Sequence, residues 1–434
     1  MKRLLNGIIT AVLIFTAAFG FVGCGEKDDG YSAPYSNAIG EQAEADDDAK
    51  GRTHIEIPEG AETIELEDGV FNVIRTTEDF ANIDNDLSAN YILANDIVPG
   101  ECYRNEIIFS TEENEYIYNS FKGIFDGNNY KFLPPPKIPS QAKVPFGRVS
   151  GGTIRNVIIS AARTDYRDPV PLSFIVGVLE YGRIEDCINY NGSLGNISPA
   201  RAAICHTALY SEIVGCINYG SLARAIERAD SESYHVSFMG TAGVVEYAAD
   251  VKIVGCKNYG TIVGWPYRED AVAGIVAEAD KTTVVENCEN YGTIVGEGYV
   301  GGITGVAGTI TEMQVSTRAA IEYEELNKEQ TIKNCNNYGD IYRGHQGIKS
   351  KHSEDYSYNY FFGGIAAIAS NVENCVNKGN ILGFKKREGR YIAGIAAAAI
   401  RVENCVNEGT VTVPNGTYID DIVAYVITEN AEQV

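Results

Sequence analysis

The sequence predicts an all-β chain, a right-handed parallel β-helix (solenoid) of about eight coils with an N-terminal cap. Three observations carry that reading. A segment built on Cys, Asn and Gly returns seven times in fixed register, a residue tolerant of left-handed backbone precedes each of those Cys, and a β-branched strand lies upstream of each.

The repeat reads "IEDCINYNGSL" at 184, "IVGCINYGSL" at 213, "IVGCKNYGTI" at 253, "VENCENYGTI" at 285, "IKNCNNYGDI" at 332, "VENCVNKGNI" at 372 and "VENCVNEGTV" at 402. Its Cys stand 29 to 47 residues apart, which suits a coil of constant core and variable loop. The residue before each Cys is Asp186, Gly215, Gly255, Asn287, Asn334, Asn374 or Asn404. Asp, Gly and Asn accept positive φ, so this column marks a sharp bend in every coil. The Asn column that follows, Asn189 to Asn407, does not vary. Its amides carry donors and an acceptor, and in register at about 4.8 Å they form a ladder. The Gly column, Gly192 to Gly409, reads as a second site of positive φ.

Upstream lies a strand typified by "AVAGIVAEA" and "FGGIAAIAS", whose β-branched position is assigned to Val178, Ile204, Val244, Ile275, Ile303, Ile365, Ile395 and Ile422. Three short strands and two bends per unit, repeated, specify a parallel solenoid, and the handedness of parallel connections makes it right-handed. Leucine-rich repeats and propellers need Leu or Trp-Asp signals that this chain, with one Trp, does not carry.

The stacked thiols stand one per coil with no C-x2-4-C pair, so they predict no metal. Like Cβ atoms about 4.8 Å apart are too far for a disulfide, leaving free, structural thiols in an apolar interior.

At the N-terminus, Lys2 and Arg3 precede an apolar run ending "FVGC" at Cys24. That layout is an export signal, and its last four residues resemble a bacterial lipobox, with Phe21 where Leu is usual. The resemblance implies cleavage after residue 23, lipidation of Cys24 and a bacterial envelope surface location. Residues 24–53 are acidic and poor in bulky apolar side chains, the composition of a flexible tether. Residues 54–143 read as a capping region, with Thr76 or Thr77 capping a short helix through Phe80, and 144–434 as the repeats. A formal charge of -24 argues against nucleic acid as a partner.

The pattern "I/V-x-N-C-x-N-x-G-x-I" with an intervening "GGI" strand resembles the GLUG-type repeats of bacterial surface proteins. That family looks like right-handed β-helices of the pectin-lyase-like class. The resemblance covers roughly residues 70–427 and implies the fold. It leaves the function open between polysaccharide-active enzymes and adhesion or display modules.

Two candidate surfaces emerge. Aligning the upstream strand places Glu180, His206 and Glu246 in one column, a carboxylate–imidazole–carboxylate set suited to acid–base chemistry, facing inward under strict alternation. The loops at 223–238, 264–270, 342–360 and 384–390 concentrate cations and aromatics on one flank. Trp265, Tyr267, Arg268, Arg343, Tyr358, Lys385 and Arg387 are its candidate ligand-binding residues, for acidic glycans in particular. An insertion at 309–331 has helical composition, and Asp420 and Asp421 in the last coil read as charges that discourage stacking on another molecule. The expectation is a lipid-anchored surface protein with a rigid binding, adhesion or display module and no cofactor. A polysaccharide lyase or glycoside hydrolase is the alternative and a mechanical spacer the third class.

Overall fold

Backbone that turns left-handed at one recurring position bends a strand into a corner, and eight corners of this kind stack down the molecule. Asn156, Asp186, Gly215, Gly255, Asn287, Asn334, Asn374 and Asn404 all have φ between 51° and 64°. The sequence-predicted bend column is therefore real, with Asn156 as an earlier member. The computed structural model describes residues 52–99, 107–110, 115–134, 144–160, 173–195, 201–224, 240–264, 270–280, 282–307, 329–343, 360–382, 390–412 and 418–427. The export signal, Cys24, the 309–331 insertion up to residue 328, and most of the tether lie outside them.

The fold is a parallel β-helix. A central coil holds five short strands rather than the three expected: Thr241–Ala242, Val245–Ala249, Lys252–Val254, Lys257–Asn258 and Ile262–Val263. The Gly before the β-branched residue, Gly243 in this coil and Gly274, Gly302, Gly364 and Gly394 in later ones, lies at a further bend that breaks the "GGI" strand, and two-residue strands are too short to show a period. Each strand pairs in parallel with its equivalents in neighbouring coils. The result is a nine-stranded sheet, two six-stranded sheets and a 19-stranded sheet that folds around a bend to make two faces.

One file of side chains shows how the register builds the core. Ile154, Ile184, Ile213, Ile253, Val285, Ile332 and Val372 are consecutive partners and fully buried. Each contributes about 1.5–3 kcal/mol by leaving water. The repeat thiols form a second file. All are free, and all are buried except half-buried Cys405. Backbone N–H groups of Cys288, Cys335 and Cys375 each donate to the Sγ of the next Cys at 3.4 Å. Burial pushes the Cys187, Cys216 and Cys288 thiols well above their ordinary pKa.

The Asn ladder is continuous. Nδ2 of Asn189, Asn218, Asn258, Asn290, Asn337 and Asn377 each donates to Oδ1 of the next Asn at 2.7–2.9 Å. From Asn218 onward the same amides also donate to the carbonyl of the repeat Gly two residues on, at 2.9–3.0 Å. That repeat Gly is required for a reason other than the one expected. None of Gly192, Gly220, Gly260, Gly292, Gly339, Gly379 or Gly409 has positive φ. A Cβ on Gly260 or Gly292 would instead lie 2.0 or 1.9 Å from a carbonyl oxygen of the preceding coil. The Gly before each "I" of the upstream strand meets the same ladder, since a Cβ on Gly243 would sit 2.4 Å from Asn258 Oδ1. Two Gly columns and one Asn column thus interlock at one corner.

The ladder ends on a carboxylate. Asn407 Nδ2 donates to Asp421 Oδ1 at 3.1 Å, so Asp421 closes the amide file. Asp420 Oδ1 accepts from the N–H of Ile422 at 2.8 Å.

At the other end, the expected helix is present as Thr77–Asn82, with Thr76 as N-cap in a reciprocal capping box with Asp79. It seats Phe80 against Phe125, Phe132 and Phe146 at ring separations of 5.2–6.1 Å, closing the core with aromatic area. Gly69–Ile74, Asn90–Leu93 and Ile124–Asp126 pair in parallel and lead directly into Thr153–Arg155. The capping region is thus continuous with the coils.

Candidate binding surfaces and the carboxylate–imidazole site

His206 and Glu246 lie side by side, and Glu180 does not join them. The register pairs Val176 with Cys205 and Val178 with Thr207, so the residue opposite His206 is Gly177. Glu180 is opposite Leu209, where Arg148 donates to it at 2.6 Å. "FIVGVLEYG" offers two β-branched residues, Ile175 and Val178, and the structure places Ile175, not Val178, in the file of Ile204 and Val244. A signal in the sequence separates them: Ile204 and Val244 each stand eleven residues before their left-handed corner, as does Ile175 before Asp186.

His206 and Glu246 also face outward rather than inward. In Val245–Ala249 the core receives Val245 and Ala248, leaving two successive residues between them outside. The next members of the column, Ala277, Ala367 and Ala397, belong to an apolar cluster separate from the core. This local break in alternation recurs in register from coil to coil, with one residue in each coil at the position.

His206 Nε2 lies 2.7 Å from Glu246 Oε2, without in-line hydrogen-bond geometry. Thr207 Oγ1 is 2.9 Å from His206 Nδ1. Arg201 and the N–H of Gly240 both donate to Glu246 Oε1 at 3.2 Å. Glu246 is 6% exposed. Glu246 is thus held by a guanidinium and a backbone N–H, lies beside an imidazole, and is shielded from solvent. The arrangement clamps two coils together, and among the described residues Glu180, the second carboxylate expected for paired acid–base hydrolysis, does not join it.

Of the loop residues, Arg343 alone lies in the described part, while Trp265, Tyr267, Arg268, Tyr358, Lys385 and Arg387 lie outside it. Arg343 Nε donates to Glu297 at 3.1 Å and its guanidinium sits 4.5 Å from the Tyr360 ring centroid. It is engaged locally. Among the described residues, no cluster of three or more His, Cys, Asp or Glu has the arrangement of a metal site.

A third surface escaped the sequence reading. An open groove of about 770 Å³ runs along the outer angle between the strands that end at Glu180 and begin at Arg183 and their equivalents. Its rim is the column Gly151, Tyr181, Tyr210, Asp250, all with positive φ between 50° and 77°. Gly and Asp suit that backbone. Tyr does not, at a cost of about 1–2 kcal/mol per residue. The two Tyr rings stack at 5.0 Å and 8°, yet Tyr181 is 62% and Tyr210 43% exposed. The signal was a bulky aromatic at a corner where neighbouring coils carry Gly or Asp.

Beside that rim runs Thr153, Arg183, Glu212, Lys252 in register. Arg183 forks onto Glu185 at 3.0 Å through both Nε and Nη2 and also reaches Glu212. That guanidinium holds the Glu185 carboxyl below its ordinary pKa. A second tyrosine file, Tyr190, Tyr219, Tyr259, Tyr291 and Tyr338, stacks at 4.7–5.1 Å on another face, and each inner ring is covered by its neighbours.

No family model matches the chain. No curated protein matches it either. Among solved structures, it is similar to a Bacteroides ovatus protein provisionally described as an immunoglobulin A1 protease, at 15% identity and a TM-score of 0.37, over 83% of this chain and 85% of that one. It is also similar to a structure described as an IgA1 protease, at 16% identity and a TM-score of 0.39, over 75% of this chain. There the chain spans 23% of its neighbour's length.

Proposed function

We propose that the protein is an exported lipoprotein, anchored through Cys24, whose β-helix serves as a rigid binding scaffold for extracellular polysaccharide. The reading takes the lipobox and the GLUG-like repeat as its starting point. The observation that carries it is the open groove of about 770 Å³ with two strained, solvent-facing tyrosines on its rim. Backbone strain retained at an exposed aromatic points to use rather than packing. The acidic-glycan preference rests on the cationic loops of the sequence, with Arg343 contributing less because Glu297 already holds it.

A glycan array combined with a reducing-end release assay on the full exported chain tests this. Binding without release is the expected result, and release of new reducing ends on the bound glycan would overturn it. The second reading, a polysaccharide lyase or hydrolase, is favoured by one observation, the 2.7 Å approach of His206 to Glu246. It requires that His206→Ala abolish release while the thermal midpoint persists.

A further inference from the structure

We propose that the groove binds a neutral polysaccharide lengthwise, with one sugar ring stacked on the open face of Tyr181 above Gly151. The proposal rests on the polysaccharide-binding reading and names its ligand class and its anchoring residue.

Three features converge. First, Tyr181 has one covered face and one open face. Tyr210 stacks on one side, and on the other the preceding coil presents Gly151, where nothing lies within 4 Å of the place a Cβ would occupy. The vacancy is one coil step high, about 4.8 Å, a separation suited to a ring lying against an aromatic. A pyranose turns an apolar C–H face toward such a ring while its hydroxyls point sideways.

Second, the groove offers partners to those hydroxyls and no net charge. Arg183, Lys252 and Lys333 are matched by Glu212, Asp250 and Glu286. Arg183 already bonds Glu185 and Glu212, and Lys333 lies 3.3 Å from Glu286, so the balanced charges leave Lys252 as the donor, and the carboxylate oxygens outside those pairs as acceptors, for an uncharged, hydroxyl-rich chain. A polyanion would meet three carboxylates. Lys252 forms no ion pair among the described residues, which leaves its ammonium available.

Third, the groove is long and shallow. Its lining runs from Gly151 to Lys333, six coils and therefore five steps of about 4.8 Å, or roughly 24 Å. That shape fits an extended chain better than an enclosed small molecule.

Calorimetric titration of the full exported chain with cellohexaose, mannohexaose, xylohexaose and hexagalacturonate tests the proposal, using wild type, Tyr181→Asn and Gly151→Asn. Asn accepts the left-handed backbone at both positions, so neither variant strains the corner. In Gly151→Asn the new side chain occupies the vacancy. The expected result is binding of at least one neutral hexasaccharide, weakened about tenfold by each substitution, with the thermal midpoint of Tyr181→Asn at or above that of wild type. Neutral binding indifferent to both substitutions overturns the proposal. So does binding of hexagalacturonate alone, unaffected by either, which would leave the broader reading intact. Binding of none of the four overturns both.

Discussion

The inner corner and the outer corner of each coil are both stacks of equivalent positions, but they obey opposite rules. At the inner corner the residue is the same in all seven Cys-bearing repeat coils, Asn189 through Asn407, while the preceding coil carries Ile159 there; the amides donate both to their own coil and to the next. At the outer corner it changes from Gly151 to Tyr181 to Tyr210 to Asp250 while the left-handed backbone stays the same. Identity repeated without exception reports a packing requirement. Variation on a fixed backbone reports freedom from one, and a costly residue chosen under that freedom marks a surface with a task.

The largest effect that separates the two corners is expected from alkali. Burial raises the Cys187, Cys205, Cys216, Cys288 and Cys335 thiols in the folded chain, whereas unfolded thiols ionise near pH 8.5. Above that pH the folded state holds more protons than the unfolded one, so stability falls as pH rises. Each such thiol contributes about 1.4 kcal/mol per pH unit. A denaturant midpoint that drops steeply between pH 8 and pH 10, with a shallower drop in Cys216→Ala, is the expected outcome. A flat profile would show that the interior file is not dry.

Gly292→Ala comes next. Its Cβ would stand 1.9 Å from the Gly260 carbonyl oxygen, and that oxygen belongs to a coil fixed by the ladder. A loss of about 3 kcal/mol or more, or failure to fold, is expected in chemical denaturation. Asn258→Ala strands the Asn218 donor and the Asn290 acceptor, with an expected loss of about 2–4 kcal/mol. The smallest effect has the opposite sign. Tyr181→Asn at the outer corner relieves strain and is expected to gain up to about 1 kcal/mol by thermal denaturation. A loss there would mean that the two corners share one rule after all.

The corners, the ladder, the free thiols and the short helix with a Thr cap were legible because each depends on one residue type, or for the corners on three that share a tolerance of positive φ, at a fixed place. What the sequence hid depends on register and on crowding. Glu180 was drawn into the wrong column because Val178 imitates Ile175. The break in alternation that turns His206 and Glu246 outward has no residue signature, since Gly, His, Glu and Ala all occupy it. The repeat Gly was rightly singled out but for its φ, whereas the Cβ collision that excludes a side chain involves the preceding coil and is visible only in three dimensions. Tyr181 and Tyr210 carry positive φ, which a tyrosine in the sequence does not announce.

The amide file points one way. One Nδ2–H of every ladder amide is aimed toward the later coil, so the side-chain dipoles add head to tail, as peptide units do in an α-helix, and each bond polarises the next. The positive pole falls at Asn407, where Asp421 brings a full negative charge and no N–H to pass onward. A neutral Asn at 421 would extend the relay. A carboxylate terminates it, giving the molecule an electrical polarity and fixing which end of the file is last.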